Sequence, residues 1–191
     1  MKKIISLFQR NYGGDLRVRN EVTPGAEWVL AGEGVATRKW DGTCCMVRGG
    51  RLYKRHEVRA HGKPPPGFEP ATDSDPITGK QQGWVPVGEG PEDRWHREAL
   101  PNAGWDVRPP PDGTYELCGP KVQGNVERFA SHRFVPHGAE TLADVPRDFD
   151  GVREYLRTRD VEGIVWWRDP SDPDCDKVKI KARDFGIARG G

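Results

Sequence analysis

Hydrophobic and polar positions change period several times along this chain, and each change marks an element. Gly34 to Arg38 reads as a short strand running into the turn Trp40-Asp41-Gly42. Cys44 to Arg48 and Arg51 to Val58 are strand-like, and the Gly49-Gly50 pair between them is a two-residue hairpin signal. Thr114 to Cys118 resumes as a strand after Pro111-Asp112-Gly113, and Arg133-Phe134-Val135 reads as another. Phe149, Val152, Tyr155 and Leu156 recur at helical spacing behind Asp148, a capping residue, which predicts a helix over roughly Asp148 to Arg159. Gly163 to Arg168 is an apolar strand, and the turn-rich Asp169 to Asp176 connects it to Lys177-Val178-Lys179-Ile180-Lys181. Strand alternation puts those three lysines on one face and Val178 and Ile180 on the other.

Between His61 and Pro111 the periodicity dissolves into Pro, Gly and acidic residues, including Pro64-Pro65-Pro66 and Pro109-Pro110-Pro111. One helical candidate, Glu92 to Leu100, interrupts it. A loop that long in a compact domain is functional or disordered. The pattern predicts an α+β fold of antiparallel sheets around a cleft, with a few peripheral helices. With 191 residues, a single domain over 1–191 is expected, and the stretch after Lys181 is too short for a second.

Composition adds limits. No apolar run approaches the length of a membrane-spanning helix. The start, Met1-Lys2-Lys3 before Ile4 to Phe8, mimics a signal peptide but is cut short by Gln9-Arg10-Asn11. Of four cysteines, Cys44 and Cys45 are adjacent and none has Cys-x-x-Cys spacing, and the five histidines show no ligand pairing. The expectation is a reduced cytoplasmic protein with inert thiols, no membrane attachment and no obligate protein partner. Net charge is only +1, yet Arg38 to Lys63 carries eight Lys/Arg against two acids, and Lys177 to Arg189 carries five against one. Brought together, these segments would make a cationic cleft suited to phosphates and a nucleic-acid backbone.

Both basic segments hold lysines in telling contexts. In chain order stand Lys39-Trp40-Asp41-Gly42, Tyr53-Lys54-Arg55, Tyr115-Glu116-Leu117-Cys118-Gly119, Glu162-Gly163-Ile164-Val165 and Lys179-Ile180-Lys181. A lysine nucleophile must be neutral to attack, and free lysine, with a pKa near about 10.4, is almost wholly charged at pH 7. Neighbouring cations and desolvation lower that value, a task that fits Lys179 and Lys181 if their strand lies opposite the Lys39 turn.

The order and spacing of these elements resemble the covalent nucleotidyltransferases, and most of all the ATP-dependent RNA ligases of the minimal single-domain 5′-to-3′ type. Lys39-Trp40-Asp41-Gly42-Thr43-Cys44-Cys45 and Gly113-Thr114-Tyr115-Glu116-Leu117-Cys118-Gly119-Pro120-Lys121 carry the likeness furthest. The resemblance implies an ATP-grasp-like ligase domain with a nucleotide cleft. It implies that Lys39 attacks the α-phosphate of ATP, that Asp41 helps hold the nucleophile loop, and that Arg38 lines the nucleotide. Arg55, with Arg59 as the alternative, would contact ribose or an acceptor-side phosphate. Glu116 would contact the ribose, Glu162 would sit near a Mg2+ or Mn2+ ion, and Lys179 and Lys181 would contact the α-phosphate. RNA ends would be the partners, a 5′-phosphate being joined to a 3′-hydroxyl. Thr37 stands where this group often has a glutamate that reads adenine, which leaves Glu33 as a candidate.

Other readings stay open. The chain could be another covalent nucleotidyltransferase, a DNA ligase or a capping-type enzyme, or an inactive nucleic-acid end-binding module. Glu162 could cap a turn, and the lysine strand could be a charged sheet edge. Trp40, Trp166 and Trp167 read as packing residues, and Arg94, His96 and Arg97 as a solvated helix face or a phosphate grip. A Glu162→Gln exchange is expected to leave stability nearly unchanged.

Overall fold

A computed structural model of the chain describes residues 4–108, 110–172 and 174–189. The early strands are β1 (Ile5–Ser6), β2 (Phe8–Arg10), β3 (Val18–Val22), β4 (Val35–Lys39), β5 (Thr43–Arg48) and β6 (Arg51–Val58). The later ones are β7 (Glu69–Pro70), β8 (Gln81–Pro86), β9 (Gly113–Cys118), β10 (Arg133–Pro136), β11 (Gly163–Trp167) and β12 (Lys177–Lys181). Among the described residues three α-helices accompany them: α1 (Glu27–Leu30), α2 (Arg94–Asn102) and α3 (Phe149–Arg157). The fold is α+β, and among the described residues its strand pairs are antiparallel except for β1 with β12. Among the described residues no helix is long and apolar enough to cross a membrane.

The chain divides into two compact units. Residues 41–137 form an inserted unit, and the segments before and after it form a discontinuous one; the boundary falls inside the Lys39–Gly42 tetrapeptide, between Trp40 and Asp41. The discontinuous unit holds a four-stranded sheet in the order β1-β12-β11-β4 and the small β2-β3 pair. Alternation sends Ala36, Ile164, Trp166, Val178 and Ile180 into one core with Val152, Tyr155 and Leu156 of α3. α3 begins as its sequence predicts: the Asp148 side chain accepts the Gly151 N–H, occupying one of the unpaired donors of the first turn.

The inserted unit is a six-stranded sheet in the order β10-β9-β5-β6-β8-β7. Its hairpin turns at Gly49 and Gly50, both at positive φ (58° and 72°), the conformation that two-residue turn requires. One face packs Cys45, Val47, Leu52, Tyr115, Leu117 and Phe134 with Ala99 of α2.

Several expectations need correction. The 61–111 stretch is not structureless: β8 is an inner strand of six residues paired to β6 and β7, and α2 follows it. Gly83 and Pro86 give β8 the look of a loop, yet Gly83 is where Phe68 and the Glu69 backbone press closest, leaving no room for a Cβ. The helix expected at Glu92 to Leu100 starts later, at Arg94, behind a 3₁₀ turn over Pro91–Asp93. α2 is not a solvated helix either, since His96 and Ala99 are buried. The N-terminal strand β1, which alternation did not mark, supplies β12 with a partner, so the lysine strand is an inner strand rather than an edge.

Candidate functional site

Strand register builds the lysine site. On β4, β11 and β12, Lys39, Gly163 and Lys181 stand directly opposite one another, so their side-chain directions share a face. In the adjacent row, Thr37, Val165 and Lys179 do the same. Gly163 is obligatory here: a Cβ would lie 2.1 Å from the Ile180 carbonyl oxygen. Over this row Glu162, buried, accepts from both neighbours: its Oε2 lies 2.5 Å from Lys39 Nζ and its Oε1 2.5 Å from Lys181 Nζ. Burial alone would raise the Glu162 carboxyl, but the charges of Lys39 and Lys181 outweigh it and hold the group below its usual range.

Lys179 completes the cluster. Burial, then the neighbouring ammonium groups of Lys181 and Lys39, lower its pKa to about 8. Three lysines surround the Glu162 carboxylate, and the nearby Asp184 is balanced by Arg10, so this half-buried face keeps a positive character suited to an anion. Lys177, on the same face, is turned to structure: its ammonium lies 4.2 Å from the Trp167 ring centroid and donates to the Cys175 carbonyl. Sequence reasoning missed Asp184, a buried acid that pairs with Arg10 and accepts the Lys181 N–H at 3.0 Å.

Other expected residues of this unit lie elsewhere. Arg38 extends over the Trp40 ring at 3.8 Å and lies 3.6 Å from Glu140. The Thr37 hydroxyl donates to the Val165 carbonyl, and Glu33 pairs with Arg168 at 3.1 Å on the surface. Trp166 and Trp167 are buried packing residues, as expected.

In the inserted unit, Asp41 enters through its backbone, its N–H donating to Glu127 Oε1 at 3.0 Å. Gly42 lies against β9 so closely that a Cβ would meet the Leu117 carbonyl oxygen at 2.3 Å, and its N–H donates to Glu116 Oε1 at 3.1 Å. The glycine of the tetrapeptide thereby aims the carboxylate of the Glu116 motif. Glu116 Oε2 is also 2.7 Å from His137 Nε2, a pairing the sequence reading did not foresee. Arg55, half-buried, donates from Nε to Gln82 and lies 5.0 Å from the Trp84 ring, while Arg59 is exposed beyond the strand. Burial lowers the Arg55 pKa from its usual value. Neither arginine of α2 is poised as a grip: Arg97 donates to the Gly88 and Gly90 carbonyls, and Arg94 covers Trp95. His96, beside the Lys54–Asp93 ion pair, has its pKa lowered by burial.

The geometry thus gathers Lys39, Lys179 and Lys181 on one face of a single sheet, with Glu162 just before β11 bridging Lys39 and Lys181, and sets Glu116 and Arg55 on the other unit's sheet. No protein-family model matches the chain, and comparison with curated proteins finds no match.

Proposed function

We propose that the lysine cluster is the nucleotidyl-transfer centre of an ATP-dependent RNA ligase. One observation carries this reading: Lys39 shares a sheet face with Lys179 and Lys181, more than a hundred residues away in the chain, and Glu162, just before β11, bridges Lys39 to Lys181. In the reaction, the Lys39 amine attacks the α-phosphorus of ATP. A nitrogen–phosphorus bond forms, the bond to pyrophosphate breaks, and the amine proton is lost to the surroundings. The adenylate then passes to an RNA 5′-phosphate, and a 3′-hydroxyl displaces AMP to seal the strand. Lys179 and Lys181 neutralise charge at the α-phosphate, where transfer depends mainly on positioning and electrostatics.

Glu162 is the residue that would hold a Mg2+ or Mn2+ ion through carboxylate oxygen, and such an ion would neutralise phosphate charge; both of its oxygens are paired to lysines and would have to be released. In the protein alone it is paired to both Lys39 and Lys181. For Glu116 and Arg55, on the sheet of the inserted unit, the resemblance implies contacts to a ribose and to a backbone phosphate, with the fold read as a nucleotidyltransferase domain. Incubation with α-labelled ATP or GTP and Mg2+ or Mn2+, followed by denaturing electrophoresis, tests the reading. Label retained on the protein from ATP, absent with GTP and lost in Lys39→Ala, is the expected result; an unlabelled native chain refutes it.

A further inference from the structure

The inserted unit carries a second cluster of chemistry-bearing side chains. Cys44 of β5 and Glu116 of β9 are directly opposed across an antiparallel pair. His137 follows β10 at once, and its own N–H donates to the Thr114 carbonyl of β9. One donor atom from each of Cys44, Glu116 and His137 lies within 4.8 Å of the others. Three hydrogen-bonded neighbouring strands therefore hold a sulfur, an oxygen and a nitrogen together on a rigid frame.

We propose that Cys44, Glu116 and His137 form a site for a borderline-soft divalent cation of the zinc and cobalt class. Thiolate and imidazole are ligands for such ions rather than for Mg2+, and three protein ligands with an open fourth position form a recurrent zinc arrangement. Bonds of about 2.0–2.3 Å would set tetrahedral donor atoms roughly 3.3–3.6 Å apart. The His137–Glu116 pair, at 2.7 Å, must open slightly and the thiol close in, within the reach of side-chain rotation. The second oxygen of Glu116 is already held by the Gly42 N–H, the outer support that orients a ligating carboxylate. A thiolate and a carboxylate together neutralise a dication, so the occupied site is itself neutral once the thiol proton has been released to solvent. If Glu116 also serves a ribose, metal and nucleotide compete for one carboxylate; the metal site itself does not depend on that role.

Titration of the full chain with Co2+ in the absence of nucleotide tests the proposal. One equivalent should give a sulfur-to-cobalt charge-transfer band, displaced by Zn2+ and untouched by excess Mg2+. Cys44→Ser should abolish that band, His137→Ala should weaken binding by about tenfold or more, and Cys175→Ser should leave the spectrum unchanged. A second measurement needs no variant: Zn2+ should slow alkylation of Cys44 in the native chain while Cys175 reacts as before. Absence of a saturable thiolate band, its persistence in Cys44→Ser, or a Cys44 alkylation rate indifferent to Zn2+ would overturn the site.

Discussion

Glu162 is what allows Lys39 and Lys181 to sit side by side, because each ammonium is paired to one of its oxygens. Glu162→Gln keeps the shape but leaves two half-buried cations facing each other. Breaking such a pair costs about 3 kcal/mol, or roughly 6–12 °C in melting temperature for a chain of this size. This reverses the expectation from sequence that stability would barely change. The pH dependence follows from the lowered carboxyl: its stabilisation is present above the ordinary carboxylate value and is lost as pH falls through the lowered one. The melting temperature of the native chain should therefore fall steeply on the acid side, and that of Glu162→Gln less so.

Lys179 has the opposite sign. Its pKa falls from 10.5 to about 8, so the charged form is penalised in the folded state. That penalty is complete below about pH 8 and disappears as pH rises towards 10.5. Lys179→Met should stabilise the fold by roughly 1–3 kcal/mol at pH 7, with the gain fading above pH 8 in parallel melts. The same variant should lose adenylylation by orders of magnitude, the mark of a residue kept for function at the expense of stability. A variant neither more stable nor less active would contradict both roles.

At the scale of elements, the close approach of β11 to β12 depends on Gly163. Gly163→Ala would press a methyl against the Ile180 carbonyl and should cost about 3 kcal/mol or more, read as a lowered denaturation midpoint at constant slope. Elements with strong local chemistry were legible in the sequence. Gly49-Gly50 specified its hairpin, Asp148 its helix cap, and alternation the shared face of the three lysines. Elements set by distant partners were not. β1 has two residues and gains its place only by pairing with β12, and β8 carries a glycine and a proline that read as turn. The same reason hid the Glu162 bridge, which exists only through the register of Lys39, Gly163 and Lys181. His137 was missed because it lies 21 residues from Glu116, a separation with no ligand signature.

For the whole molecule, a net charge of +1 rules out binding nucleic acid through bulk charge; any grip on a backbone must be local. Basic side chains concentrate in Arg38 to Lys63 and Lys177 to Arg189, and several are already committed, Lys54 to Asp93 and Lys177 to Trp167. With about three single-strand phosphate contacts, sealing should weaken by about twentyfold between roughly 50 and 200 mM salt. Matched all-RNA and all-DNA oligonucleotides should differ in favour of RNA, where a 2′-hydroxyl offers a further handle. Efficient sealing of nicked DNA with RNA refused would move the substrate but leave the lysine chemistry standing.

Mapping the nucleotide adduct tests the lysine cluster most directly, because three lysines stand within one small face and Lys179 has the lowered pKa. The chain is incubated with ATP and a divalent metal, digested, and the peptide carrying AMP is located by mass spectrometry. The expected result is a single phosphoramidate on Lys39. An adduct on Lys179 or Lys181, or none at all, would contradict the assignment of Lys39 as the nucleophile.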